Sequence, residues 1–247
     1  MLLADRLADR VAGRGRQILY GLIALVLIAV GAYGIVRWRQ KHTEEAEAAM
    51  GRAIAINRAE ITASPPANSK DPVFTTEQER AHSAIEEFQK VANKYGEPYR
   101  TQARYFIATN ELVTDRAKGM SDLQSLSQGR SEIAVLAKFA LAQAKEADGN
   151  YDQAAALYAE IAQVGSAVVT TETANLRLAN VYHKQGKQKE AADLLFGLVD
   201  AARKAKDKDG KPVPESSAAR EAAQLLQKID PTRWAQLPQQ PPPNLAF

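Results

Sequence analysis

The sequence predicts an all-α chain: one N-terminal transmembrane helix, then an α-solenoid of about four helical hairpins closed by a C-terminal capping helix. Three observations predict it. Ile18 to Val36 is an uncharged run of 19 residues, long enough to cross a bilayer. A small–large–large pattern recurs about every 35 residues between Ala84 and Leu198, the mark of a stacked array. The composition is rich in Ala, Leu, Gln, Glu, Lys and Arg, with 6% aromatic residues, and these side chains lose little on entering a helix.

The membrane segment reads ILYGLIALVLIAVGAYGIV (18–36). At ~1.5 Å per residue it spans about 28 Å, near the thickness of a hydrocarbon core. Arg14 and Arg16 bound it on one side, and Arg37, Trp38, Arg39 and Lys41 on the other. Tyr20, Tyr33 and Trp38 fall near the interfaces, where amphipathic rings are favoured. Small pairs at Ala29 and Gly31, or Ala32 and Gly34, leave a cleaved signal peptide as the rival. The length of the apolar run and the basic residues directly after it favour an uncleaved anchor. Both flanks carry four basic residues, so charge alone leaves the orientation open.

Residues 1–17 form a short basic tail, in which Leu3, Leu7 and Val11 could share a face of an interfacial helix. Residues 1–42 hold seven Lys and Arg against Asp5 and Asp9, leaving 25 basic and 27 acidic residues after them. The basic pI is therefore juxtamembrane, suited to anionic headgroups. No basic stripe is left for nucleic acid. The chain has no Cys, which excludes disulfides and thiolate chemistry.

The repeat is carried by four stretches: AIEEFQKV (84–91), GMSDLQSL (119–126), AAALYAEI (154–161) and AADLLFGL (191–198). A small residue recurs at Ala84, Gly119, Ala154 and Ala191, and a bulky one four places later at Phe88, Leu123, Tyr158 and Leu195. Three places on come Val91, Leu126, Ile161 and Leu198. That spacing is one face of a helix. The small residue lets a neighbour approach, and no single helix can bury the stripe alone. A preceding helix recurs through Ile107-Ala108, Leu141-Ala142 and Leu178-Ala179, with turns marked by Gly149-Asn150 and Gly186.

The predicted layout places the repeat domain at 43–229 and a Pro-rich disordered tail at 230–247. Thr43 to about Ile61 reads as helix, and 63–75 as a Pro-rich loop. Thr76 with Glu79 reads as a capping box. Paired helices run to about Lys206, a charged loop follows, and residues 217–228 form the cap.

No catalytic residue, metal site or cofactor is expected. His42, His82 and His183 are scattered, and no phosphate loop or nucleophile motif occurs. Carboxylates such as Glu44-Glu45 and Glu86-Glu87 read as solvated, with no desolvated pair of divergent acidities. The chain is therefore expected not to be an enzyme.

The repeats resemble the tetratricopeptide repeat. Leu178, Ala179, Tyr182, Gly186 and Ala191 match five of its positions, and Leu141, Ala142, Gly149, Tyr151, Ala154 and Tyr158 match six. Ile161 and Leu198 replace its late Ala, Lys145 replaces an aromatic, and the units around 76–127 are degenerate, so another helical bundle stays open. The resemblance implies that the first helix of each hairpin lines a concave groove. On this register Tyr105, Thr109, Leu112, Phe139, Gln143, Glu146, Leu176, Asn180, His183 and Lys184 face a peptide or a partner helix, with inter-repeat core as the alternative for Phe139 and Leu176. Arg177, Asn180 and Lys184 offer only a partial carboxylate clamp.

The whole layout, with GIVRWRQKHTEEAEAAMGRA as its most similar stretch, resembles the YfgM-like ancillary subunits of the bacterial Sec translocon. That resemblance implies an inner-membrane anchor with a cytoplasmic N-terminus and periplasmic repeats. It implies as partners the translocon subunits, periplasmic chaperones or unfolded clients. A scaffold for pilus, secretion or cell-division machinery is the alternative. The Pro-rich tail has no counterpart in the family.

Overall fold

A computed structural model describes residues 37, 41–64 and 72–238. The predicted anchor Ile18–Val36, the tail 1–17 and the end of the Pro-rich tail lie outside them. Among the described residues, no helix is long and apolar enough to cross a membrane. The chain divides into two compact units at Ile54 and Ala55. In the first, the described residues are helical from 41 and bury Ala46, Met50 and Ala53. This helix, α1, runs from 41 to 57.

The second unit is built of helices stacked in chain order. Helix α1 ends at 57 and not near Ile61. Two short strands follow, β1 (Glu60–Ile61) and β2 (Val73–Phe74), paired in parallel. Thr62 N–H extends the ladder to the Phe74 carbonyl at 2.9 Å. The segment expected to be helix and then loop thus closes on itself, because β-branched and aromatic residues at both ends fit an extended backbone.

Helix α2 (Glu77–Lys94) starts at Thr76, whose side chain accepts from Glu79 N–H at 3.1 Å. The reciprocal half of the expected capping box shifts by one residue. Glu79 accepts from the Thr75 N–H and hydroxyl, at 3.2 and 2.5 Å, and these bonds lower its pKa below the ordinary carboxylate value. Helices α3 (Tyr99–Thr114), α4 (Arg116–Leu126), α5 (Glu132–Ala147), α6 (Tyr151–Val164), α7 (Thr171–Lys184), α8 (Gln188–Lys204) and α9 (Ser217–Ile229) follow. Asp115, Ser131, Thr170 and Ser216 cap α4, α5, α7 and α9 through their side chains, satisfying N–H groups that a helix start leaves open.

The two turns marked in the sequence close alike. Gly149 and Gly186 take φ of 73° and 76°, a conformation that costs glycine nothing. The next residue in each case, Asn150 or Lys187, donates to the carbonyl five places back, Lys145 or Tyr182, at 2.9 Å. That bond ends the helix in a Schellman-type turn.

From α2 to α9 each helix packs on the next, and α3 also touches α5 while α7 touches α9. The hairpins are α3–α4, α5–α6 and α7–α8, preceded by α2 and closed by α9. Core clusters succeed one another along the chain. One joins Ala108, Leu123 and Leu141; the next Ala142, Tyr158 and Leu178; the last Ala179, Leu195 and Leu226. Ala84, Ala154 and Ala191 are fully buried, as are Phe88, Leu123, Tyr158 and Leu195. At Gly119 α4 lies close against α3: an added Cβ would stand 2.6 Å from Leu112 N and 2.8 Å from Ala108 O. The architecture is all-α, save for the two short strands, with repeat-like helix packing.

Residues 230–238, expected to belong to the tail, are part of the fold. Asp230 caps a helical turn, α10 (Pro231–Trp234), and Leu237 is buried against the last cluster. An Asp cap followed by Pro is a helix start. Arg203 of α8 holds this end, donating to Glu215 at 3.0 Å and to the Pro238 carbonyl at 2.6 Å.

Candidate functional site

The expected groove residues lie on α3, α5 and α7, the first helices of the three hairpins. On α3, Tyr105 is half-buried, edge-on to Phe106, and burial pushes its hydroxyl above the usual tyrosine range. Thr109 donates to the Phe106 carbonyl at 2.9 Å, and Leu112 rests on the first core cluster. On α5, Gln143 is exposed, while Phe139 is half-buried with its ring 5.7 Å from that of Tyr158. On α7, Asn180 donates to the Leu176 carbonyl at 2.9 Å, and His183 Nδ1 pairs with Gln188 Oε1 at 2.9 Å.

Leu176 is corrected. It is 4% exposed and belongs to the last core cluster with Ala218, Ala219 and Ala222 of α9. The capping helix lies over α7 and covers the position that the register opens to a groove.

The structure brings Glu146, Lys184 and Tyr158 together. Glu146 accepts from Lys184 Nζ at 2.6 Å through one oxygen and from the Tyr158 hydroxyl at 3.0 Å through the other. The Tyr158 ring is fully buried. Burial, then the charge and hydrogen bond of Glu146, raise the pKa of its hydroxyl, against a smaller opposing pull from Arg177. Lys184 is paired with Glu146 and Asn180 with the Leu176 carbonyl, so two members of the partial clamp already have partners.

A second constellation lies outside the expected groove residues. A cleft of about 460 Å³ opens between α2, α3 and α4, lined by Gln89, Ala92, Asn93, Arg100, Arg104, Ile107, Glu111, Lys118 and Asp122. Glu111 is 5% exposed at its base. Lys118 bridges Glu111 Oε1 and Asp122, the latter at 2.9 Å, while Glu111 Oε2 is buried without a hydrogen-bond partner.

Burial raises the pKa of Glu111, with Asp122 adding to the effect and Lys118 opposing it. Burial pushes Asp122 the same way, but Lys118 and the neighbouring Glu111 outweigh it and leave its pKa below the ordinary value. The expectation that no carboxylates diverge in acidity is therefore wrong. Its physical cause is Gly119: an added Cβ there would stand 2.8 Å from the Glu111 backbone carbon, so the close approach of α4 takes Glu111 out of water. The signal available beforehand was the face Arg100, Arg104, Ile107 and Glu111, at helical spacing, opposite Lys118 and Asp122.

Among the described residues, no His, Cys, Asp and Glu grouping could hold a metal ion. The chain matches no protein-family model, and comparison with the curated proteins and with the solved structures found no similar protein.

Proposed function

We propose that this chain is a membrane-anchored, protein-binding scaffold whose tetratricopeptide-like repeats present the first helices of successive hairpins as one surface. The contact between Glu146 of α5 and Lys184 of α7 carries the reading, because it joins the first helices of two neighbouring hairpins at 2.6 Å. A partner resting there meets both repeats at once. Gln143 and the half-buried Phe139 offer an amide and an aromatic edge beside that contact, a mixture suited to a peptide or a helix. The charged groups of this face are spent on one another, which favours recognition over chemistry.

The anchor is Ile18–Val36, and the resemblance of the sequence to the YfgM-like translocon subunits supports an extracytoplasmic repeat domain. Translocon subunits, periplasmic chaperones or unfolded clients are then the partners.

A photo-crosslinking residue at Gln143 in the native membrane tests this. Adducts with translocon subunits, chaperones or secreted clients are expected, and a fluorescent reporter that matures only in the cytosol should stay dark at the C-terminus. Adducts confined to pilus, secretion or cell-division components would replace the translocon reading. A bright reporter would overturn the orientation.

A further inference from the structure

The cleft between α2, α3 and α4 lies away from the Glu146–Lys184 face and combines two features that point to a ligand. At its base, the second oxygen of Glu111 is buried with no hydrogen-bond partner, an arrangement that costs free energy until a donor reaches it. At its mouth, Arg100 and Arg104 stand one turn apart on α3, close enough to grip one group. Arg104 feels Asp122 only through a longer-range attraction. Arg100 uses Nε on the Ala92 carbonyl at 3.3 Å. Lys118 is already committed to Glu111 and Asp122.

We propose that this cleft is a second docking site, which takes an acidic peptide segment: a carboxylate side chain seats on Arg100 and Arg104, and a backbone N–H is donated to Glu111 Oε2. Each part of the ligand follows from a group in the wall. Two guanidinium forks select a planar carboxylate, to which they can bond in pairs. The orphaned oxygen selects a donor and repels a second anion, so a bare anion satisfies only half of the site. A peptide carries both, an acceptor side chain and a donor backbone. Gln89 and Asn93, one turn apart on α2, supply amides that can meet its remaining N–H and C=O groups. Arg104 and Glu111 stand seven positions apart on α3, about 10 Å along the axis, the reach of roughly three extended residues.

The test uses the full chain in detergent micelles and a short fluorescein-labelled peptide, capped at both ends, in which Glu alternates with Gly. Anisotropy should report saturable binding that is lost when Lys or Gln replaces Glu in the peptide. Arg104→Gln, an exposed position whose variant should keep the parent's circular dichroism, should weaken binding about tenfold or more, as should Arg100→Gln. Replacing Gly by its N-methyl form removes the backbone donors and should also weaken binding. Absence of binding, equal binding of Glu and Lys peptides, or affinity unchanged in both arginine variants would overturn the proposal. Because Gln143 lies outside the cleft, its crosslinks should persist in Arg104→Gln, so this site and the repeat face fail independently.

Discussion

Lys184 on α7 donates to the Glu146 carboxylate on α5 at 2.6 Å, while the other Glu146 oxygen takes the hydroxyl of buried Tyr158 at 3.0 Å. The two donors are not equivalent. The Lys184 side chain is 48% exposed, so water can replace its partner and the pair contributes at most about 1 kcal/mol. The Tyr158 hydroxyl has no such substitute. Glu146→Ala should therefore cost about 2 kcal/mol, and Lys184→Ala clearly less. Urea unfolding with unchanged slope checks the order; equal losses would mean that the tyrosine finds another acceptor.

The same hydroxyl predicts an alkaline limit. Its folded pKa is raised from the ordinary tyrosine value of 10.0, by burial first and then by Glu146. An acid that holds its proton more tightly when folded contributes stability below its unfolded value, and loses it as pH rises through the folded one. Stability should thus fall above pH 10, and Tyr158→Phe should fall less steeply there. Thermal melts from neutral to alkaline pH give the comparison. Parallel curves for parent and variant would place the effect elsewhere, for example at Tyr105, which burial raises in the same direction.

Arg203 and Glu215 form the ion pair that holds the C-terminal end, with side chains 10% and 5% exposed. Removing one member of a buried pair leaves the other charge short of a partner. Arg203→Ala should cost about 3 kcal/mol and release the Pro238 carbonyl that it also binds. Chemical denaturation measures the first effect, and faster proteolysis after α9 the second. A loss near zero would mean that this end is not fastened through Arg203.

What could be read in the sequence was what close packing constrains by size. Ala84, Ala154 and Ala191 are small because a neighbouring helix touches them, and Phe88, Tyr158 and Leu195 are large because they fill the adjacent groove. Such constraints recur with each hairpin, so one chain displays them several times. Features that depend on a single approach of two elements left no recurring trace. The burial of Glu111 follows from Gly119 on another helix, and that of Leu176 from the cap α9, which occurs once. The strands Glu60–Ile61 and Val73–Phe74 are two residues each, too short to establish an alternation. The helical turn at Pro231 was marked by Asp230, but the prolines beyond it suggested a tail.

The account depends on small residues standing where successive helices touch, and Gly119 tests that most directly. Glycine inside an exposed helix is worth about 1 kcal/mol less than alanine, so substitution there should stabilise. Gly197 of α8 is such a place, with nothing within 4 Å of an added Cβ, and Gly197→Ala should stabilise by about that amount. At Gly119 the added atom meets the backbone of α3 at 2.6 to 2.8 Å. Urea unfolding of Gly119→Ala beside Gly197→Ala is the measurement. The packing described here predicts opposite signs, with Gly119→Ala losing about 2 kcal/mol; a Gly119→Ala chain as stable as the parent, or more so, would contradict it.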